Sequence, residues 1–381
     1  MPWECRTVED QRKMFAIEAA KTTNFSALCR EYGITRKTGY KWLERSRNGC
    51  GFSDCSRKPH RSPRRTPAET EQKVLQLRTE NPGWGAATIH RVLENRAEPD
   101  LPCVRTVNNI LNRYHCISEE ESLKRQPFQR FEKDACNQLW QADFKGEFLT
   151  ADGKYCYPLD ILDDCSRFAI RICAADTTAN VVIPAFQQAF LEFGLPDAIL
   201  SDNGAHFAGF RNGFTKFEKW LMELDILPIH GRIHHPQTQG KIERFHRSMK
   251  DELLRRTTFA DAKEADAALQ AWREKYNCVR PHEALGMRCP ADVYTPSARS
   301  YPTEIPKWEY GGEHHVLKVN SWGYVRFDRF QIYLSETMRN EYIEFRPAPD
   351  GETFFACFRN YKIAEFRTEN GKLENRRISK L

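Results

Sequence analysis

No stretch of the 381-residue chain approaches the roughly 18 consecutive apolar residues that a membrane-spanning helix needs. The segment Met1–Cys5 and the charged residues after it lack the apolar run of a signal peptide. Both absences point to a cytoplasmic protein without a membrane partner. The 13 cysteines are odd in number and scattered, and no Cys-x-x-Cys pair or Cys/His array has zinc-site spacing, so they read as reduced thiols. Charge of one sign is also scarce. The 58 Lys and Arg against 52 Asp and Glu leave a net +6, which by itself indicates an acidic partner only weakly.

What excess there is sits near the N-terminus. Residues 1–80 carry 17 basic against 10 acidic side chains, and Arg57, Lys58, Arg61, Arg64 and Arg65 fall within nine residues. The prolines and serines between them exclude a helix, leaving an extended basic linker over 51–66. Such a tether is either simply solvated or lies along phosphates, releasing counterions. Ahead of it, Asp10 to Arg47 reads as three short helices from the spacing of Phe15, Ile17, Phe25, Leu28, Cys29, Ile34, Tyr40 and Leu43. Gly33 ends the second helix, Ile34 plugs the turn and Thr35 caps the third, the pattern of a helix-turn-helix in residues 1–50. Arg36, Lys37 and Lys41 then lie on the outer face of a recognition helix. A second helical DNA-binding unit is expected over 67–118, with helices from Pro67 to Leu77, Ala86 to Asn95 and Arg105 to Tyr114.

From Leu139 the pattern changes to strands. Leu139 to Leu149, Lys154 to Leu162 and Phe168 to Ala175 read as a three-stranded meander. A helix from Ala179 to Phe193, a strand from Ala198 to Leu200, a helix around Phe214 to Leu224, a strand from Leu227 to His230 and a helix from Gly240 follow. The order predicts an α/β mixed sheet flanked by helices over 135–295. After residue 300 short strands dominate, and a small C-terminal β-barrel is expected over 305–381. The fold class is therefore multidomain: all-α helix-turn-helix units, an α/β core and a small β-barrel.

Asp143, Asp202 and Glu243 stand where a structural role is hard to find. Alternation along Trp140 to Gly146 places Gln141, Asp143 and Lys145 on one strand face, where an unpaired aspartate is costly. Asp202 follows the apolar strand 198–200, at the carboxyl end where open α/β sheets usually carry their chemistry, although on position alone it is equally an ordinary turn aspartate. Glu243 lies in a helix's first turn, with Arg247 and Lys250 on the same face at i+4 and i+7; salt-bridge decoration would give the same pattern. Clustered carboxylates suit in-line displacement at a phosphodiester, because they hold two divalent ions that stabilise attacking and leaving oxygens.

At Trp140-Gln141-Ala142-Asp143, Ser201-Asp202-Asn203-Gly204, His235 through Arg244, Tyr276-Asn277 and Arg280-Pro281-His282 the sequence resembles bacterial insertion-sequence transposases with a retroviral-integrase-type (DDE) core. The resemblance implies an RNase H-like core and two Mg²⁺ or Mn²⁺ ions per site. It also implies nicking of double-stranded DNA at element ends and attack of the freed 3′-hydroxyl on target DNA. It assigns metal ligation and catalysis to Asp143, Asp202 and Glu243, places Asn203, Gln239, Arg247 and Lys250 near the DNA, and implies a homo-multimer on DNA, associated with the bacterial nucleoid when bound. Two departures stand out: Lys145 occupies a position where many relatives have a small or hydroxyl residue, and forty residues separate Asp202 from Glu243, a few more than usual. No counterpart of the zinc-binding domain of retroviral integrases is present.

Two competing readings remain open: a catalytically silent DNA-binding regulator, and an RNase H-like nuclease without strand transfer. A metal-free hydrolase fits less well, because Ser166, Ser201 and Ser248 lack a nucleophile-elbow context, and His230, His234 and His235 suit loop or DNA contacts.

Overall fold

The computed structural model describes residues 7–54, 66–117, 132–175, 180–209, 213–231, 240–369 and 371–381. The chain forms two compact units, Met1–Arg65 and Thr66–Leu381. Arg57, Lys58, Arg61, Arg64, Arg65 and Gln239 lie outside the described residues.

In the first unit, α1 (Val8–Ala19) opens with a capping box between Thr7 and Asp10, Asn24 caps α2 (Phe25–Glu31), and Thr35 caps α3 (Arg36–Arg47). Gly33 takes a positive φ of 62° at the end of α2, where a side chain would be strained. The core is Phe15, Ala19, Leu28, Cys29, Trp42 and Leu43. Ile17 and Tyr40, expected on the buried face, are each 51% exposed, and Trp42 fills the space instead. Gly39 lets the helices approach: a Cβ there would lie 2.7 Å from Cys29 Sγ.

The second unit begins with α4 (Ala68–Glu80), α5 (Ala86–Asn95) and α6 (Val104–Arg113), packed around Val74, Trp84, Ile89, Val107 and Ile110. Its central sheet contains β1 (Trp140–Phe144), β4 (Leu159–Asp163), β5 (Ala169–Cys173), β6 (Ala198–Ser201) and β7 (Leu227–His230) in the order β5-β4-β1-β6-β7. β1 runs antiparallel to β4 and parallel to β6, and β6 runs parallel to β7, which gives the expected mixed sheet. The first strand is shorter than alternation predicts. Gly146 turns the chain at φ 88°, and β2 (Phe148–Leu149) pairs with β3 (Tyr155–Cys156) as a separate hairpin.

Trp140 and Ala142 point to one face, where α7 (Val182–Phe193) and α8 (Lys216–Glu223) bury Phe186, Phe190, Phe217 and Leu221. On the other face α9 (Gly240–Met249) and α10 (Ala262–Cys278) pack Phe245, Met249, Leu269, Trp272 and Tyr276 against Leu162, Ala169 and Ile172. Between these helices Lys250–Leu254 forms a π-helical turn.

The outer edge of β5 is satisfied by side chains of α10. Asp266 accepts from Ala174 N at 3.0 Å, Gln270 donates to Ile172 O at 2.7 Å, Arg273 donates to Ile170 O at 2.6 Å, and Asn277 both accepts from and donates to Ala169. Tyr276 is buried beside them, and the Arg280 guanidinium pairs with Glu252 of the π turn. Part of the motif singled out in the sequence thus holds α10 to the sheet.

The C-terminal strands do not close into the expected barrel. β8 (His315–Lys318), β11 (Tyr342–Pro347), β12 (Thr353–Phe358), β13 (Tyr361–Arg367) and β14 (Lys372–Glu374) form an open sheet with β15 (Ser379–Lys380) on β13, and β9 (Tyr324–Phe327) pairs only with β10 (Phe330–Tyr333). Among the described residues no pairing joins the two edges. Instead, Val325, Phe327 and Ile332 of the hairpin pack on Phe345, Phe358 and Phe366 of the sheet, with Phe214 and Met222 of the central region in the same core.

Candidate active site

Asp143 is the penultimate residue of β1 and stands directly opposite Asp160 of β4. Because β1 and β6 run parallel with Ala142 beside Ser201, Asp202 leaves β6 next to Asp143. Its Oδ1 accepts from Gly204 N at 2.9 Å, fixing the turn. Burial, with the negative charges of Asp202 and Asp160 adding to it, pushes the Asp143 carboxyl up to about 6, and His246 opposes the rise.

The expectation missed two groups. Asp160 is fully buried, and its Oδ2 lies 2.8 Å from His246 Nε2. The approach is off the direction a hydrogen bond requires, so both Asp160 oxygens and His246 Nε2 are without a hydrogen-bond partner. Burial pushes the Asp160 carboxyl up as well. The other ring nitrogen of His246 is 3.8 Å from Asp143 Oδ2, so the ring bridges the two carboxylates. The signal available in the sequence was a charged residue inside the apolar alternation Leu159-Asp160-Ile161.

Glu243 lies one turn before His246 on α9 and is exposed. The helix start is anchored by Lys241, whose Nζ donates to Asp164 Oδ2 at 2.6 Å; fully buried Asp164 also accepts from Gln141 at 2.7 Å. This network ties β1, the β4–β5 turn and α9 together, and so sets Glu243 on its wall. The wall bounds a cavity of about 430 Å³ lined by Lys145, Glu243, His246, Arg247, Lys250, Asp251 and Arg255, with Asp143 and Asp202 outside its lining. Arg255 is engaged by Asp251 at 2.5 Å; Lys145, Arg247 and Lys250 contribute their positive charge to the space. Lys145 therefore flanks the carboxylates.

Asn203 donates to Gly231 O at 2.8 Å, bracing the exits of β6 and β7. Further along, Glu218 joins the site's support by accepting from Thr215 N and holding His230 Nε2 at 2.9 Å. Arg36, Lys37 and Lys41 are all exposed on α3, in the first unit.

Asp143 and Asp202, with fully buried Asp160 beside them, offer the hard carboxylate oxygens that a divalent cation takes, and burial together with the neighbouring negative charges raises the Asp143 carboxyl to about 6. Among the described residues no three His, Cys, Asp or Glu side chains converge closely enough to enclose an ion. No helix among them is long and apolar enough to cross a membrane.

Comparison with known proteins matches residues 133–236 and 224–290 to an integrase core domain, and residues 38–111 to a homeodomain-like domain. An uncharacterized protein of insertion element IS476 from Xanthomonas euvesicatoria is 26% identical over 273 residues, covering 68% of this chain and 73% of its own length. One of insertion element IS407 from Burkholderia multivorans is 26% identical over 159 residues, covering 42% of this chain and 55% of its own length; this chain thus spans little more than half of that relative. The HTLV-2 integrase catalytic core solved with magnesium is 18% identical, with 42% of this chain and 97% of its own covered, at a TM-score of 0.33. Both integrase-core matches run through the sheet and its helices, so residues 133–290 carry an integrase core domain, and the chain is similar in sequence to proteins of bacterial insertion elements.

Proposed function

We propose that the chain is a DDE-type polynucleotidyl transferase that nicks double-stranded DNA at the ends of its element and joins the freed 3′-hydroxyls to target DNA. The observation that carries this reading is the placement of Asp143 and Asp202 at adjacent strand ends, where burial, with the negative charges of Asp202 and Asp160 adding to it, raises the Asp143 carboxyl to about 6. Asp143, Asp202 and Glu243 would hold two Mg²⁺ or Mn²⁺ ions, which supply Lewis-acid stabilisation of the attacking and leaving oxygens.

The chain's own residues do the positioning. Lys145, Arg247 and Lys250 grip the phosphate backbone in the cavity they line. Asp160, fully buried on β4 beside Asp143, places its negative charge 2.8 Å from His246 Nε2, and the ring's other nitrogen lies 3.8 Å from Asp143. Asn203 and Gln239 contact the strand being cut. The helix-turn-helix of residues 1–50, the basic linker 51–66 with Arg57, Lys58, Arg61, Arg64 and Arg65, and the helical unit 67–118 bind the element ends, with Arg36, Lys37 and Lys41 on the recognition helix. The core 135–295 cuts and joins, and copies assemble on DNA because two ends must be brought together.

The test uses labelled DNA from the gene's own flanks with Mg²⁺ or Mn²⁺, comparing wild type with Asp143→Asn and Glu243→Gln whose folding is verified by circular dichroism. Metal-dependent joined products, lost in both variants, are expected. Cleavage without joining would make the chain a nuclease, and specific binding without cleavage by wild type would make it a DNA-binding regulator.

A further inference from the structure

The helix α6 contains an expense that its own fold does not recover. Asn108, Asn109 and Asn112 occupy three of its ten positions, and Asn is among the poorer helix formers because its amide competes for backbone groups. With Arg105 they stand at i, i+3, i+4 and i+7, forming one exposed face. The opposite face, Val107, Ile110 and Leu111, is fully buried against α4 and α5. Among the described residues none of the four polar side chains makes a hydrogen bond or ion pair within the chain. By contrast, Arg113 at the end of the helix is engaged, donating to buried Glu71 at 2.7 Å. Local preference is violated repeatedly on one face with no internal compensation, which is where an external ligand is to be sought.

The chemistry of the face selects that ligand. A protein partner would need an apolar centre, whereas here the four face positions are three amides and one guanidinium. Each amide offers a donor and an acceptor in the spacing that matches N6 and N7 of adenine in the major groove, and Arg matches O6 and N7 of guanine. The helix carries Arg105 and Arg113 and no carboxylate, so its charge complements a polyanion. From Arg105 to Asn112 the face extends about 10 Å at 1.5 Å per residue, roughly three base-pair steps. On α3, in contrast, the outward residues Arg36, Lys37 and Lys41 are cations suited to phosphates and guanine.

We infer that α6 is the base-reading helix of the second helical unit, and that Asn108, Asn109 and Asn112 select adenines at consecutive major-groove positions, flanked by a guanine read by Arg105. The inference deepens the proposed end-binding function and depends on it only for the ligand being duplex DNA.

The experiment is selection of binding sites from randomised duplex DNA by the full chain in metal-free buffer, repeated with Asn108→Ala, Asn109→Ala, Asn112→Ala and, as a control, Lys41→Ala. Wild type should enrich adenines over adjacent positions. Each Asn variant should lose about tenfold or more of the preference at one base position, keep its affinity for random DNA and its salt dependence, and melt no lower than wild type, since Ala is the better helix former. Lys41→Ala should weaken binding to every sequence and reduce the salt slope. Unchanged base preference in all three Asn variants, or equal loss on every sequence, would overturn the inference, as would a lowered melting temperature, which would make the amides structural. No step requires cleavage, so a failure here is separable from a failure of the catalytic proposal.

Discussion

Asp143→Asn should make the metal-free protein more stable, and by an amount that depends on pH. Moving the carboxyl from its ordinary 3.8 to about 6 means that the folded state holds the proton more tightly than the unfolded chain. Below pH 4 both states are protonated and the residue is neutral in effect. Between 4 and 6 the unfolded state ionises first, so stability falls as pH rises; above 6 the full penalty is present. At about 1.4 kcal/mol per tenfold difference, the penalty is about 3 kcal/mol at pH 8 and about half of that at pH 5. The side chain is only 22% exposed, so solvent screening removes little of it. Asn has nearly the same shape and no charge to bury. In EDTA-treated protein followed by thermal or urea unfolding, the variant should gain about 3 kcal/mol at pH 8, roughly 5 °C, and markedly less at pH 5. Mg²⁺ or Mn²⁺ at ten times its Kd should stabilise wild type by about 1.4 kcal/mol and leave the variant unmoved. A variant that is no more stable than wild type at pH 8, or a gap that does not change with pH, would refute the argument that burial and neighbouring carboxylates strain Asp143.

Three further outcomes follow from the packing. Lys241→Ala leaves Asp164 buried without its cation, and should destabilise the second unit by about 3–5 kcal/mol in denaturant titrations. Gly39→Ala drives a methyl to 2.7 Å from Cys29 Sγ; about 1–3 kcal/mol of overpacking should appear as faster hydrogen exchange in residues 7–54, with 66–381 unaffected. Asn277→Ala removes both bonds to Ala169, and should lower stability by about 2–4 kcal/mol while exposing the β5 amides to exchange.

Local signals were the legible ones. Thr35 and Gly33 mark their cap and turn because the chemistry that makes them good at it is contained in a few residues. The order of core strands and helices follows from periodicity in the same way. What pattern could not supply was pairing between distant segments. Phe148 and Leu149 look like a continuation of β1, yet they pair with Tyr155 and Cys156, because Gly146 redirects the chain. Alternating apolar residues after 300 are compatible with a barrel or an open sheet, and only the pairing of edges distinguishes them. The same limit applies to the candidate site. Asp143 and Asp202 could be singled out from their places in strands, but Asp160 and His246 become meaningful only when β4 and α9 are laid against β1. Lys145 stands out by following Asp143 two residues later, and its place on the cavity wall follows from the strand ending there.

The ladder from α10 to β5 bears on how copies of the chain behave when crowded. An exposed outer strand is a template that a neighbouring molecule can extend, and proteins gathered at high local concentration are the ones most at risk of such growth. Here Asp266, Gln270, Arg273 and Asn277 occupy those backbone groups before another chain can. That margin of the sheet is therefore closed to recruitment, and molecules brought together by a shared length of DNA would meet there as separable neighbours rather than as seeds of a continuous β-fibre.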